Sequence, residues 1–368
     1  MKYFFKIFII IVLFNALFFV SFGGEPSVSA QSAVVIDIES GRILYQKNMD
    51  LKLPMASTTK ILTALVAIEN GKLENPVKVN KTATNIEGSS IYLKEGEILK
   101  LKDLLYGLML CSGNDAACAI AEHIGGNIEN FVKMMNKKAV DIGAVNSHFT
   151  NPHGLHNAEH YTTAYDLALI SRKAMLNSNF KRIVGTKLWV AEREGNGYKY
   201  FYNKNKVLTQ YNGGTGIKIG YTKTSGRCLV ASGKRGDMEV ICVVLNAPDW
   251  FNDSYRLMDF VFAKYKPIKI IDQHQIFKTI YIKNGVKDET KIIAGKEVIL
   301  PLSDAEKDEV YISYSLEDKL TAPVRRKQKV GTAQIFLNNE KIYDIDIITR
   351  EDIDYERDSI IKTIRKWM

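Results

Sequence analysis

The sequence has few cysteines, and they are not spaced like a metal or redox motif. Only four occur among the 368 residues, at Cys111, Cys118, Cys228 and Cys242, and no two form a Cys-x-x-Cys pair. Such pairs are typical of zinc sites and thiol redox centres. A chain of this length also needs no disulfide to stabilise its core. We therefore expect four buried free thiols.

The sequence also lacks a continuous basic block, although basic residues are in excess. The 50 Lys and Arg against 41 Asp and Glu give a formal net charge of +9, and the two signs are interspersed. Proteins that bind nucleic acid usually concentrate positive charge in one stripe or patch. The pattern therefore argues against a nucleic-acid partner and favours attraction to an anionic membrane or cell-wall surface.

The apolar run near the N-terminus is short for a membrane span. Lys2 and Lys6 precede apolar residues 7–20, and residues 28–30 (Val-Ser-Ala) offer a small-x-small cleavage pattern. A spanning helix needs about 20 apolar residues, whereas this series is typical of a secretory leader. We predict a signal peptide over residues 1–30. An uncleaved anchor is the alternative, and either one exports the chain.

Hydrophobic periodicity predicts mixed helices and strands in the first two thirds of the chain. Gly71 is expected to end the first helix as a C-cap, and Thr163 with Asp166 resembles a capping box. Hairpins are expected over residues 33–46 and 187–207, with three strands at residues 216–222, 228–232 and 239–245. Helices are expected over residues 57–70, 101–110, 116–124, 127–142, 164–176 and 250–264.

The composition changes at Pro267, and no internal repeat is present. Beyond it the chain is rich in β-branched residues and turns, which predicts a separate all-β domain over residues 267–350. The expected strands are residues 276–282, 291–293, 310–314 and 333–337.

The last segment, residues 351–368, changes period again. One side of a helix would carry apolar residues, with basic residues around it, and such a helix suits a membrane interface. Packing on its own domain is the alternative, and we favour the membrane anchor. The apolar side consists of Ile353, Ile360, Ile361, Ile364 and Trp367.

Ser57 and Lys60 stand three residues apart at the start of the first predicted helix. Residues with that spacing share a helix face, so the amine can lie beside the hydroxyl. A serine needs such a neighbour to become a nucleophile. Ser-x-x-Lys is nevertheless common in unrelated proteins, so the pair needs support from elsewhere.

Two further elements supply that support. Ser112-Gly113-Asn114 lies between two predicted helices, and Lys218-Ile219-Gly220 lies on a predicted strand. In this order the three resemble the Ser-x-x-Lys, Ser-x-Asn and Lys-Thr-Gly signature of serine penicillin-recognising enzymes. The chain most resembles their low-molecular-mass members, the D-alanyl-D-alanine carboxypeptidases. Flanking matches over residues 32–264 include Asn151-Pro152-His153-Gly154-Leu155, Tyr221-Thr222 and Cys228-Leu229.

The resemblance implies a fold and an activity. The fold is α/β, with a β-lactamase/transpeptidase-like catalytic domain over residues 31–266, in which helices flank an antiparallel sheet. A small all-β domain and a C-terminal amphipathic helix follow. The activity is removal of the terminal D-alanine from peptidoglycan stem peptides, without a cofactor and with β-lactam antibiotics as inhibitors. The place implied is the outer face of the cytoplasmic membrane or the cell wall.

The resemblance also implies catalytic roles. Ser57 is the expected nucleophile and Lys60 its general base. Ser112 is expected to relay a proton to the leaving amine, while Asn114 binds the peptide or orients the amine of Lys60.

Four residues of the strand are expected to bind substrate. Lys218 should lower the pKa of the nearby lysine base and attract the terminal carboxylate. The backbone N–H of Tyr221 should complete an oxyanion hole with that of Ser57. Gly220 leaves room for the substrate, and Thr222 follows it on the strand.

Ile219 departs from the signature, because the family carries threonine there, and Thr215 stands where aspartate is common. Isoleucine cannot donate a hydrogen bond to a carboxylate. Losing such a bond removes about 1.5–3 kcal/mol, or about ten- to hundredfold in turnover. A weakened penicillin-binding scaffold is therefore one alternative function. A class A β-lactamase is a less favoured one, because Ser-Asp-Asn and a Glu-x-x-Leu-Asn loop are missing.

Three histidines, His153, His156 and His160, are spaced in a way that suggests zinc. No carboxylate or cysteine is placed to complete the site, and the expected chemistry requires no metal. We therefore predict no metal site.

Overall fold

The chain folds into two parts that follow one another in sequence. The structure is a computed structural model that describes residues 24–193 and 197–356. Most of the predicted leader lies outside the described residues. Helices surround a sheet up to residue 264, and strands dominate from residue 266 onward.

A five-stranded antiparallel sheet forms the centre of the first part. Its strands are arranged in the order β2-β1-β9-β8-β7. Alternate side chains point to opposite faces, so Val230 and Val243 pack on one side while Leu229 and Val244 pack on the other. The expected opening hairpin and the three later strands are confirmed. The strands are β1 (Ser32–Asp37), β2 (Ile43–Lys47), β7 (Gly214–Thr222), β8 (Gly226–Arg235) and β9 (Met238–Leu245).

Helices cover both faces of this sheet. The six expected helices are present, whereas α6 and α7 were not predicted. Helices α1 to α6 share one apolar core with Val230, and α8 covers the opposite face with Leu229. The helices are α1 (Lys60–Asn70), α2 (Leu101–Leu110), α3 (Asn114–Gly125), α4 (Ile128–Ile142), α5 (Ala164–Met175), α6 (Ser178–Gly185), α7 (Val207–Gln210) and α8 (Trp250–Lys264).

Of two expectations about helix ends, one is confirmed and one needs correction. Gly71 is the C-cap of α1, as expected, and it has an extended conformation with a φ of −121°. A side chain there would meet the side chains of Leu101 and Ile124 at 2.6 and 2.7 Å, so close packing explains the glycine. The hydroxyl of Thr163 does accept the N–H of Asp166. The Asp166 carboxylate, however, accepts from the loop before α5 at Asn146 N, 2.7 Å away, so the capping box is not reciprocal.

Short hairpins complete the first part. β3 (Pro76–Lys78) pairs with β4 (Ile98–Lys100), and β5 (Leu188–Val190) pairs with β6 (Tyr200–Tyr202). The second pair confirms the hairpin expected over residues 187–207. All four cysteines are buried and unpaired, as expected.

The second part is all-β, as predicted, but it contains more strands than the sequence suggested. A six-stranded sheet has the order β14-β16-β17-β12-β11-β15, and β10 pairs with β13 beside it. Four strands, β10, β13, β15 and β17, were not predicted. The strands are β10 (Lys266–Ile271), β11 (Ile276–Lys283), β12 (Glu289–Ala294), β13 (Val298–Leu302), β14 (Val310–Leu316), β15 (Lys319–Thr321), β16 (Lys329–Leu337) and β17 (Glu340–Thr349).

Polar contacts join the two parts beside the first hairpin. Arg42 donates to the carbonyl of Pro301 and forms an ion pair with Glu306. Glu39 accepts from Lys296 and from Tyr343, each at 3.1 Å. The first part is thus linked to the all-β part through the turn between β1 and β2.

The prediction of a tail helix is wrong for its first residues. Residues 351–356 are not helical, because Ile353 forms a bridge with Val324 and is buried in the all-β core. Residues 357–368 lie outside the described residues. Among the described helices, none combines the length and apolar character needed to cross a membrane.

Residues 28–30, assigned above to the leader, pack onto the first part. Val28 and Ala30 are buried with α8 and β9. Ser29 Oγ and the backbone N–H of Ala30 donate to Asp253 Oδ2 at 2.6 and 3.0 Å. These contacts cover a carboxylate with no exposed surface.

Candidate active site

Ser57 sits in a short 3₁₀ turn, Ala56–Thr59, directly before α1. The sequence predicted an α-helix from residue 57, so the helix begins three residues later than expected. Ala56 has a left-handed φ of 48°, which a non-glycine residue adopts only under constraint. Ser57 is half-buried, whereas Lys60, the first residue of α1, is fully buried.

The Lys60 amine is held by three oxygen atoms. Its Nζ lies 3.0 Å from Ser57 Oγ, 2.6 Å from Asn114 Oδ1 and 2.6 Å from the carbonyl oxygen of His153. The amide and carbonyl oxygens can only accept, so they take two N–H groups. In a neutral amine the remaining lone pair then faces Ser57, whose hydroxyl donates. This is the arrangement of a general base in contact with its nucleophile.

The charge state of Lys60 follows from its surroundings. Burial lowers the pKa of Lys60 well below its usual value of 10.5, and the positive charge of Lys218 lowers it further. The expectation named Lys218 as the cause, whereas burial is the larger one. Burial also lowers the pKa of Lys218 to about 7, with a smaller contribution from Lys204. Burial and the positive charge of Lys218 both favour the neutral amine of Lys60.

Asn114 begins α3 and contacts the amine of Lys60. Its Oδ1 accepts from Lys60, and its Nδ2 donates to the carbonyl of Glu87 at 2.5 Å. These bonds favour the orienting role over direct peptide binding, since both ends of the amide are engaged. The adjacent Asp115 accepts from Ser90 Oγ at 2.6 Å and from the N–H of Leu93 at 3.0 Å, which holds the neighbouring loop against α3.

Ser112 lies at the junction between α2 and α3. Its φ is 65°, and only 6% of the residue is exposed. Between two helices the chain must turn sharply, and this left-handed residue makes the turn. The turn places Ser112 two residues before Asn114, which contacts Lys60.

Strand β7 brings Lys218 and Gly220 to the site from the other side. Lys218 Nζ donates to the carbonyl of Ile219 at 3.0 Å, its one acceptor among the described residues. Two N–H groups thus remain for an anionic ligand. Gly220 was expected to leave room for the substrate. A side chain there would instead meet the 3₁₀ turn Ala56–Thr59, called the nucleophile turn below, with Cβ 2.9 Å from Ser57 N and 3.1 Å from Met55 O.

The remaining strand residues occupy different places. Tyr221 is 62% exposed beside the site. The hydroxyl of Thr222 lies 2.8 Å from that of Ser225, within the turn between β7 and β8. Ile219 pairs in register with Leu229 and packs on the α8 face of the sheet, opposite to the face of Lys218.

Sequence reasoning missed several contributors to the site. The carbonyl of His153 holds Lys60, and the charge of Lys204 contributes to the lowered pKa of Lys218. His160 is buried and contacts Thr59 through its ring. Neither His153 nor His160 belongs to a metal-binding cluster. In the described part of the chain, no group of three His, Cys, Asp or Glu residues is arranged to hold a metal ion. Contacts of this kind, which involve backbone groups or separate loops, produce no spacing pattern in the sequence that could reveal them.

Comparisons with known proteins cover nearly the whole described chain. Residues 21–249 match the family described as D-alanyl-D-alanine carboxypeptidase, and residues 265–355 match the penicillin-binding protein 5 C-terminal domain. The chain is 32% identical over 338 residues to the D-alanyl-D-alanine carboxypeptidase DacF of Bacillus subtilis, which covers 89% of this chain and 87% of that protein.

Two further similarities agree with these matches. Identity to the D-alanyl-D-alanine carboxypeptidase DacC of Escherichia coli is 33% over 346 residues, with 89% of this chain and 85% of that protein covered. The solved structure of penicillin binding protein 5 from Haemophilus influenzae superposes with a TM-score of 0.73 at 28% identity. It covers 90% of this chain and 99% of that one.

Proposed function

Because the chain belongs to the D-alanyl-D-alanine carboxypeptidase family and is a serine-type peptidase of that kind, we propose that Ser57 is its nucleophile and Lys60 the general base. The observation that carries this assignment is the contact of Lys60 Nζ with Ser57 Oγ at 3.0 Å, with two acceptor oxygens occupying the other amine positions.

Acylation begins when the hydroxyl of Ser57 attacks the carbonyl between the two terminal D-alanines of a peptidoglycan stem peptide. The serine proton passes to Lys60 Nζ as the C–O bond forms. The negative oxygen of the tetrahedral intermediate accepts from the backbone N–H groups of Ser57 and Tyr221. Lys218 binds the terminal carboxylate. Its buried charge and free N–H groups support this role.

Collapse of the intermediate breaks the peptide bond and releases D-alanine. The leaving amine takes a proton from the Ser112 hydroxyl, which is refilled by the Lys60 ammonium. Water then attacks the acyl-enzyme, and Lys60 Nζ accepts its proton. The ester bond to Ser57 breaks, and the Lys60 ammonium returns the proton to Ser57 Oγ, which regenerates the enzyme. A β-lactam follows the same first step, and its ring amine remains attached, so it inhibits the enzyme.

The protein acts outside the cytoplasm, where peptidoglycan is found. Residues 1–30 of the sequence supply a leader, and the basic amphipathic pattern of residues 357–368 attaches the chain to the outer face of the membrane. Removing residues 357–368 should release the processed protein from membranes, and retention would contradict the anchor.

The test of the proposed function combines two assays. Purified protein should release D-alanine from diacetyl-Lys-D-Ala-D-Ala and bind fluorescent penicillin in a 1:1 ratio, with the label on the peptide that contains Ser57. Ser57→Ala should lose both. Labelling without D-alanine release would favour a penicillin-binding scaffold. Rapid loss of the label would favour a β-lactamase. Labelling that survives Ser57→Ala would contradict the assignment.

A further inference from the structure

We propose that His160 is a positioning residue for the oxyanion donor of Ser57, acting through Thr59 and the carbonyl of Ala56. This inference rests on the proposed role of Ser57. His160 lies about a hundred residues further along the chain and only 3% of it is exposed. No step of the reaction proposed above uses it.

A chain of hydrogen bonds connects the imidazole to the nucleophile turn. Thr59 Oγ1 lies 2.8 Å from His160 Nε2 and 2.8 Å from the carbonyl oxygen of Ala56. On the far side of the ring, His160 Nδ1 lies 3.0 Å from the backbone N of Thr150. All members are buried or half-buried, so water does not replace these bonds at low cost.

The direction of every bond in this chain is determined. The backbone N–H of Thr150 can only donate, so His160 Nδ1 accepts and the ring proton is on Nε2. The carbonyl of Ala56 can only accept, so the single hydroxyl proton of Thr59 points to it. Thr59 therefore receives its second bond from His160 Nε2–H. Burial keeps the ring neutral, since it lowers the pKa of His160 to about 3.

The last acceptor in this chain belongs to the peptide unit of the oxyanion donor. The carbonyl of Ala56 and the N–H of Ser57 lie in one planar trans peptide and point in opposite directions. A bond that holds the oxygen on the Thr59 side thus holds the N–H on the side of Gly220. The Cβ position of Gly220, 2.9 Å from Ser57 N, marks that side as the one facing β7.

The peptide needs this support because its conformation is unfavourable. Ala56 has a φ of 48°, outside the regions that most non-glycine residues adopt. Gly154 packs on the same carbonyl so closely that a side chain there would lie 1.9 Å from Ala56 O. The loop that carries Gly154 and His160 therefore packs over the Ala56–Ser57 peptide. It stabilises an orientation of this peptide that the turn alone would not maintain.

The expected effect on catalysis is specific. Accepting a hydrogen bond at the carbonyl oxygen polarises the peptide and strengthens the N–H as a donor. That N–H is used when negative charge develops on the substrate oxygen. Losing the Thr59 bond should therefore slow bond formation to Ser57 and leave the initial binding of ligand unchanged.

The experiment compares two buried threonines of the same segment. Thr63, one turn further along α1, donates to the carbonyl of Pro152 at 2.6 Å and does not contact the Ala56 peptide. Thr59→Val and Thr63→Val each remove one hydroxyl and keep the side-chain shape. Acylation by a chromogenic β-lactam is followed by stopped flow, which separates the dissociation constant of the initial complex from the acylation rate constant.

The acylation rate constant should fall by about tenfold or more in Thr59→Val, since direct loss of an oxyanion donor costs about a hundredfold or more. It should stay within about twofold in Thr63→Val, and the initial dissociation constant should be unchanged in both. Thr59→Ser, which keeps the hydroxyl, should restore the rate. His160→Gln, whose amide N–H replaces Nε2–H, should retain more activity than His160→Asn.

The readout separates this inference from the proposed function. Protein that is not acylated at Ser57 even as wild type would contradict the function itself. Acylated wild type with equal rates in Thr59→Val and Thr63→Val would overturn the role of His160 while the function stands. Because active protein is counted by its final acylation level, partial misfolding of one variant does not enter the rate.

Discussion

Gly220 on β7 and Ser57 in the nucleophile turn are in backbone contact, with the Cβ position of Gly220 2.9 Å from Ser57 N. Real Cβ atoms do not approach a nitrogen so closely, so any side chain at 220 displaces one of the two segments. The proposed oxyanion hole, formed by the N–H groups of Ser57 and Tyr221, therefore requires a position 220 without a side chain.

Gly220→Ala should therefore impair chemistry more than folding. We expect kcat/KM for a D-Ala-D-Ala peptide to fall by about tenfold or more, equivalent to ~1.4 kcal/mol. Gly185→Ala is the matched control, since its nearest neighbour, Thr215 O, lies at an ordinary 3.7 Å. Steady-state kinetics with penicillin titration of active sites checks both. Normal activity in Gly220→Ala would show that the contact relaxes without cost.

The pKa of Lys218 predicts how activity falls at alkaline pH. Burial lowers this pKa to about 7, so the ammonium loses its charge as pH rises through that value. Binding of a terminal carboxylate should weaken in the same range. In Lys218→Arg the guanidinium stays charged, so the alkaline fall of kcat/KM should move to higher pH. A substrate whose terminal carboxylate is a methyl ester should lack this fall, and an identical fall for acid and ester would contradict the role.

Ile219 offers a gain-of-function test. Ile219→Thr adds a hydroxyl at the edge strand, while Ile219→Val removes similar packing against Leu229 without adding one. For the carboxylate substrate we expect kcat/KM of the Thr variant to exceed that of the Val variant by about tenfold, the value of one hydrogen bond to a charged group. Equal values would mean that the side chain at 219, which packs on the α8 face, does not reach the substrate.

The packing of residues 28–30 predicts a stability difference between two N-termini. A chain beginning at Gln31, as cleavage after Ala30 would produce, loses two hydrogen bonds to the buried carboxylate of Asp253. It should be less stable than a chain beginning at Gly24 by about 1–3 kcal/mol. Thermal denaturation measures this, with Ser29→Ala in the longer chain as an intermediate case. Equal midpoints would show that the segment contributes nothing.

One half-buried and one buried histidine predict loss of stability in acid. Burial lowers the pKa of His153 to about 4 and that of His160 to about 3, from 6.5. Below about pH 6.5 these histidines bind protons in the unfolded chain but stay neutral in the folded chain. Their contribution to the free energy of unfolding is therefore complete above pH 6.5 and declines as the pH falls toward 4. In His153→Gln the free energy of unfolding should vary less between pH 7 and 5. Denaturant titrations at both values test the difference, and an unchanged slope would contradict it.

The sequence predicted the groups of the site because their spacing follows local periodicity. Ser57 and Lys60 are three residues apart, and residues 112–114 interrupt a helical pattern, so both elements were visible in order. The 3₁₀ geometry at Ser57 was not predictable, because it depends on a carbonyl held by Thr59 and by a loop a hundred residues away.

Tertiary contacts also explain what the sequence did not reveal. The histidine spacing raised only a metal site, which was rejected, and only the fold shows the ring of His160 between Thr59 and Thr150. Ile353 was assigned to a helix face, but the all-β core buries it beside Val324. The sequence identified Ile353 correctly as an apolar residue that packs on a partner. Hydrophobic periodicity alone could not show that this partner is Val324, and the partner determines the backbone conformation.

Strand β7 ends the central sheet, so its outer backbone groups have no neighbouring strand among those described. An open edge of this kind can recruit a strand from another molecule and lead to aggregation. Three glycines of this strand let other segments pack closely on it: Gly214 lies against Val207, Gly216 against Val184 and Gly220 against Ser57. A side chain at any of these positions would push the packed segment away from β7, so Gly220 affects how much of the edge strand is exposed as well as the geometry of the site.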